Sequence, residues 1–210
     1  MNKTEVVVAG SDSPDAPVVI LFHGRGSNAH EIMQLVPHLP QGIRYLAVDA
    51  PIGAGGNYAW FANRGIGRPI EESLRETTTW FTDWLDSYLD PAVKPILIGN
   101  SGGGAFVGGL IGLDKNRYAG AGILYATLPW DAGIELAPGS FTDFPIFVAH
   151  GTSDNVIPAD LLARTWEYLT TSSGAKLSAH RGPEGHGLSQ DSLAKLNEWI
   201  LETIESTEQK

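Results

Sequence analysis

A serine set among glycines is the residue of this chain best placed to act as a nucleophile. Gly99-Asn100-Ser101-Gly102-Gly103 follows the apolar run Pro95-Ile96-Leu97-Ile98 and precedes a Gly-rich apolar stretch from Gly104 to Leu113. Strand, sharp turn and helix in that order make a nucleophile elbow, which strains the serine backbone and exposes its Oγ. The glycines answer a steric demand, because a Cβ at Gly99 or Gly103 would collide across the turn. A neutral hydroxyl is a poor nucleophile, so Ser101 needs an adjacent base, and the base needs a partner that fixes its tautomer. Gly185-His186-Gly187, between the last strand and the last helix, offers His186 as base. His150-Gly151-Thr152-Ser153-Asp154 follows the run Pro145 to Ala149, which sets Asp154 in a loop at a strand's C-terminal end. Acyl transfer also requires two donors aimed at the developing oxyanion. The N–H of Gly102, opening the elbow helix, is one; the turn His23-Gly24-Arg25-Gly26, directly after the run Pro17 to Phe22, offers the N–H of Arg25 as the other.

Each of these residues has a plainer reading. With 25 glycines in the chain, Ser101 could be incidental to a packing turn. Asp154 could cap its own loop as an Asx-turn, with Asp143 and Asp160 nearby as rivals, although Asp160 reads as the start of a helix. His23 and His150 precede glycine at strand ends and read as buried, hydrogen-bonded supports for loops. The Arg25 side chain reads equally as a contact for a substrate carboxylate or hydroxyl and as a solvated or salt-bridged arginine. Tyr58, Trp60, Phe61 and Trp130 are candidate walls of a substrate pocket, against the alternative of core packing. His30-Glu31 followed by Gln34 imitates the opening of H-E-x-x-H without the second histidine, so no metal is expected, and no cofactor.

The elements that must position these groups follow from hydropathy. Thr4 to Val8, Pro17 to Phe22, Arg44 to Val48, Pro95 to Ile98, Ala121 to Tyr125, Pro145 to Ala149 and Leu177 to His180 read as strands. Most are continuous apolar runs, as in a parallel sheet covered on both faces. Ile70, Leu74, Thr77, Phe81, Trp84 and Tyr88 recur at helical spacing, as do Leu162, Trp166 and Leu169, and Leu193, Leu196, Ile200 and Ile204. Glu71, Glu72 and Asp191 fall in first turns and Gly174 after a helix, as the dipole and C-cap rules favour. This alternation predicts one α/β domain over residues 1–210, a mostly parallel central sheet flanked by helices, with right-handed crossovers. The glycines after Ser101 cost helix propensity, which close contact with the sheet explains. Gly53 to Gly56 reads as a mobile loop tip.

Composition narrows the partners. A formal net charge of −10 disfavours nucleic acid and anionic membrane surfaces. The absence of cysteine excludes thiolate chemistry and disulfides. No apolar stretch reaches the length of a signal core or a membrane span, so a cytoplasmic protein without stable membrane insertion is expected, provided no leader preceded this numbering.

The chain resembles the phospholipase/carboxylesterase family of small α/β-hydrolases almost end to end. The likeness lies in His23-Gly24-Arg25-Gly26, Asp49-Ala50-Pro51 with Trp60-Phe61 after a Gly-rich loop, the elbow at Ser101, His150-Gly151 with Asp154 and Pro158, and Gly185-His186. The order Ser, Asp, His is also that of α/β-hydrolases. The resemblance implies an α/β-hydrolase fold without a large lid domain, Ser101 as nucleophile, His186 as base, Asp154 as its orienting acid, and backbone donors at Arg25 and Gly102. It further implies a small-molecule ester as substrate, with thioesters and lysophospholipids open to the same machinery; relatives are often homodimers, a state open to this chain as well as the monomer. Many relatives carry glutamine where this chain has Gly102 and an aromatic where it has Asn100, which bears on substrate preference. A reading of another class rests on Gly24, Gly26 and Ala29, which fit G-x-G-x-x-A before a helix, with Asp49 ending the next strand where a ribose-binding acid belongs. An NAD(P)-binding oxidoreductase of that kind leaves the elbow, Asp154 and His186 unexplained.

Overall fold

A computed structural model of the protein describes residues 5–208. Seven strands form the central sheet: β1 (Val6–Gly10), β2 (Val18–Phe22), β3 (Arg44–Val48), β4 (Ile96–Asn100), β5 (Gly120–Leu124), β6 (Pro145–Gly151) and β7 (Lys176–Gly182). Their spatial order is β1-β3-β2-β4-β5-β6-β7, parallel throughout except that β1 runs antiparallel to β3. Five α-helices lie between or after them: α1 (Ala29–Met33), α2 (Glu71–Tyr88), α3 (Gly102–Asp114), α4 (Ala159–Glu167) and α5 (Gln190–Glu208).

The continuous apolar runs have the cause expected of them. All five residues of β2 are buried, and successive side chains enter different cores. Ile20 and Phe22 join Leu74, Phe81 and Phe106 of α2 and α3. Val19 and Leu21 join Met33 of α1 and Leu196 and Ile200 of α5. A period-2 chain covered on both faces has no polar side.

Several strand ends differ from expectation, although β6 begins at Pro145 as expected. Pro17 and Pro95 stand just outside β2 and β4, contributing only carbonyls, to Arg44 N–H at 2.9 Å and Ala119 N–H at 3.0 Å. A proline has no N–H for the ladder. At the other end β4, β6 and β7 run on through Asn100, Gly151 and Gly182, residues whose polarity or size hid them. For the first strand, Thr4 lies outside the described residues. Two small hairpins were not anticipated. Ile52–Ala54 pairs with Asn57–Ala59 around Gly55 and Gly56, both at positive φ, so the predicted loop tip is a tight two-residue turn. Asn63–Gly65 pairs with Arg68–Pro69. The stripe of Leu162, Trp166 and Leu169 leaves α4 for a π-helical turn, Tyr168–Ser172, before Gly174 at φ 75°.

The glycines of α3 have two explanations, of which the sequence suggested one. At Gly104 a Cβ would stand 2.7 Å from Ala126 Cβ, where the sheet edge passes into the next loop. Gly108 and Gly112 instead face the segment after β5, where a Cβ would come within 2.7 Å of Leu128 and 2.6 Å of Ile134. Among the described residues no helix is long and apolar enough to cross a membrane.

Candidate active site

Between β4 and α3 the chain turns so sharply that Ser101 sits at φ 52° and ψ −118°. A side chain holds such a backbone only where its surroundings over-determine it. Here the Ser101 N–H donates to the Leu124 carbonyl at 2.9 Å. A Cβ on Gly99 would overlap the Gly103 carbonyl, the collision across the turn that the sequence implies. Gly103 is required for another reason, since its Cβ would overlap the Phe22 carbonyl and stand 2.6 Å from that of His23, at the end of β2.

Two loops bring the partners in. The loop after β6 carries Asp154, and the loop after β7 carries His186; Thr152 N–H to Gly182 O at 2.7 Å and Ser153 N–H to Glu184 O at 3.1 Å tie one to the other. His186 Nε2 lies 2.9 Å from Ser101 Oγ, and His186 Nδ1 lies 2.8 Å from Asp154 Oδ2. The two carboxylate oxygens of Asp154 have separate contacts. Oδ1 accepts the N–H groups of Val156 at 2.8 Å and Ile157 at 3.1 Å, while Oδ2 faces the imidazole. Asp160 is elsewhere, in the first turn of α4 and paired with Arg68 at 3.2 Å.

The tautomer of His186 follows from the contacts of Asp154. Burial, with the Asp154 side chain only 1% exposed, by itself raises a carboxyl pKa. The bonds from His186, Val156 and Ile157 outweigh it and hold Asp154 below its ordinary value. An ionised carboxylate only accepts, so Nδ1 of His186 carries the proton and Nε2 presents a lone pair to the serine. Such a line can draw the proton from Ser101 as its oxygen attacks a carbonyl.

The turn after β2 passes beside the elbow. An ideal Cβ on Gly102 would lie 3.2 Å from Arg25 N, so the two amides are neighbours, and neither N–H has a protein acceptor among the described residues. His23 supports this turn from inside the protein. Its Nε2 accepts the Ala50 N–H at 3.1 Å and its Nδ1 donates to Gly24 O at 2.8 Å. Burial lowers its pKa, in keeping with a neutral ring. His150, likewise buried, donates from Nε2 to Ala126 O at 3.0 Å. Tyr58 helps through its backbone, accepting Gly26 N–H at 2.8 Å and donating to Ser27 O at 3.0 Å.

Two cavities flank Ser101. One, about 320 Å³, is walled by Phe61, Ile66, Ala105, Val156 and Ile157, with Asn63 and Thr127. The other, about 340 Å³ and wider open, has a mixed lining in which Ser27, Glu31 and Asn100 supply the polar groups and Ile32 an apolar one. Of the four aromatic wall candidates, Phe61 alone borders them. Trp60 is core: it stacks on Phe106 at 4.7 Å and donates its N–H to His23 O at 2.8 Å. Trp130 is satisfied by Thr165 Oγ1 at 2.9 Å and packs against Tyr168. The Tyr58 ring lies toward His23, with centroids 6.4 Å apart. Ile66, Val156 and Ile157 carried no signal, being ordinary aliphatics in loops. Arg25 is exposed and borders both cavities, with one guanidinium N–H on Phe61 O at 3.1 Å.

The dinucleotide reading fails on Asp49. Its Oδ1 accepts the Ala29 N–H at 2.7 Å, so the acid caps α1, while Asn28 Oδ1 accepts from Glu31 N–H at 2.9 Å as the N-cap.

The comparisons with known proteins agree with this architecture. The Bacillus cereus carboxylesterase has 23% sequence identity and a TM-score of 0.82, over 96% of this chain and 95% of that one. The carboxylesterase from Mesorhizobium loti has 18% identity and a TM-score of 0.78, over 92% of each chain. MhqD of Bacillus subtilis (strain 168) is 26% identical over 191 residues, 89% of this chain and 94% of its own length. The mostly parallel sheet with its flanking helices is thus an α/β-hydrolase fold. Matched from residue 2 to residue 204 by the model of that group, the chain belongs to the phospholipase/carboxylesterase family.

Proposed function

We propose that the protein is a serine carboxylester hydrolase that works through an acyl-enzyme. The observation that carries this reading is the unbroken line Asp154 Oδ2, His186 Nδ1, His186 Nε2, Ser101 Oγ, with steps of 2.8 and 2.9 Å, ending beside the Arg25 and Gly102 amides. His186 takes the proton as Ser101 attacks the ester carbonyl. The two N–H groups hold the resulting oxyanion, and His186 then protonates the departing alcohol. Water repeats the cycle on the acyl-enzyme.

The apolar cavity beside Phe61 suits the acyl group, and the wider, mixed side suits the alcohol. At about 320 Å³ the former lies near the small end of ligand sites, roughly 300 to 1,000 Å³, which favours small or medium acyl and aryl esters. Thioesters present the same carbonyl to the same groups. Initial rates on aryl esters and thioesters of graded acyl length are expected to peak at short to medium chains. Ser101→Ala is expected to lower ester turnover by about 10⁴-fold or more and to abolish labelling of the elbow peptide by a fluorophosphonate, read by mass. An undiminished rate in that variant ends the proposal.

A further inference from the structure

Behind the loop that carries His186 lies a second histidine–carboxylate pair with no part in the proposed reaction. His180 Nε2 meets Glu184 Oε1 at 2.7 Å, with the two side chains 7% and 14% exposed. The Tyr125 hydroxyl donates to the same oxygen at 2.8 Å and lies 3.0 Å from Ser192 Oγ in the first turn of α5. One carboxylate thereby joins the end of β5 and strand β7 to the His186 loop, and the Tyr125 hydroxyl extends the link to helix α5. Burial alone would raise the Glu184 pKa, and the bonds from Tyr125 and His180 more than offset that.

Independent features show how closely the surroundings are fitted to Glu184. Tyr125 is held at φ 48° with its N–H on Ala149 O at 2.8 Å, a conformation that costs energy and persists where packing imposes it. A Cβ on Gly151 would overlap the Glu184 carbonyl, and one on Gly182 would overlap its carboxylate. The Glu184 carbonyl accepts the Ser153 N–H at 3.1 Å. Ser153 precedes Asp154, and Glu184 stands two residues before His186.

We propose that Glu184 is a positioning residue: clamped by Tyr125 and His180, it sets the spacing of the Asp154 and His186 loops and so the alignment of His186 with Ser101. The inference rests on the acyl-transfer reading above. Misplacing a reacting group by about 1 Å costs about 10²-fold in rate, so a loop anchor of this kind acts on kcat rather than on binding.

The test compares Glu184→Ala, Glu184→Gln, Tyr125→Phe and the double variant Tyr125→Phe/Glu184→Ala on one aryl ester, normalised to sites titrated by the acyl-enzyme burst. Glu184→Ala is expected to lose about 10²-fold in kcat with KM within about twofold. Glu184→Gln should stay within about threefold of wild type, since its carboxamide oxygen accepts both bonds. Tyr125→Phe should show a smaller loss, and the double variant should be no slower than Glu184→Ala, as members of one unit are non-additive. The downfield proton resonance of the His186 Nδ1–H on Asp154 should broaden or vanish in Glu184→Ala, a readout independent of turnover. A kcat per titrated site within about threefold of wild type in Glu184→Ala, a Gln variant as slow as Ala, a loss carried wholly by KM, or an unchanged resonance overturns the proposal. Should Glu184→Ala fail to fold, Tyr125→Phe decides, with unchanged kcat and resonance counting against it. Inactive wild type would instead refute the acyl-transfer reading, and the resonance would still report on Glu184.

Discussion

Asp154 shows how one carboxylate serves two ends. Its Oδ1 closes the loop through Val156 and Ile157, and its Oδ2 orients His186. These bonds hold the pKa down against a burial that would raise it, so the group stays ionised and dictates the imidazole tautomer. Asp154→Asn preserves shape while adding a donor, and an amide N–H facing Nδ1 would move the ring proton to Nε2. The proposed mechanism then lacks its base, and kcat for an aryl ester should fall by about 10⁴-fold with KM little changed. Retention of wild-type kcat would mean that the tautomer has no role. Residue type and order picked out Ser101, Asp154 and His186 because each follows a strand. They were silent on Glu184, since a glutamate in a loop looks like any solvated acid until the fold encloses it.

At the scale of elements, the elbow helix makes a sharp distinction between glycines. Propensity penalises all of them alike, by up to about 1 kcal/mol relative to alanine. The surroundings do not. Gly103 packs its Cα face against the carbonyls ending β2, whereas a Cβ on Gly109 would find ordinary contacts of 3.4 to 3.7 Å with Ile134 and Leu74. Gly109→Ala is therefore expected to raise stability by up to about 1 kcal/mol. Gly103→Ala forces backbone apart and should cost about 3 kcal/mol or more. Urea unfolding midpoints measure both, and equal shifts would refute the distinction. Strands and long helices were legible because burial on two faces leaves a continuous apolar run and burial on one face leaves a period. The hairpins at 52–59 and 63–69 left none, being only two or three residues per strand.

Across the whole molecule, the buried histidines link folding to pH. Burial is the largest influence on His150 and takes its pKa from 6.5 to about 4, with Ala126 and Asp154 opposing. Between those values the unfolded chain binds a proton that the folded protein refuses, so stability is complete above 6.5 and is lost as pH falls toward 4. The full difference corresponds to about 3 kcal/mol. His23 adds to the loss in the same direction. Asp154 and Glu184 have lowered pKa values, so their contributions are present above the ordinary carboxylate range and disappear only at still lower pH, as they protonate in the folded state. Urea unfolding at pH 7.5, 5.5 and 4.5 should show a flatter decline for His150→Gln than for wild type, and parallel declines would count against His150.

What composition and periodicity carried was the sheet, its covering helices, and the strand ends where chemistry gathers, because hydrophobic burial and steric exclusion act on residue type and leave a repeating trace. Which side chain meets which was a different matter. Trp60 and Trp130 turned inward because each indole N–H found a buried acceptor, and Asp49 was taken up by the α1 amide at Ala29. Ile66, Val156 and Ile157 became cavity walls, and Glu184 became a buried anchor, through contacts between segments far apart in the chain. Those pairings turn on shifts in position of about an ångström, set by packing in three dimensions, and no one-dimensional pattern encodes them.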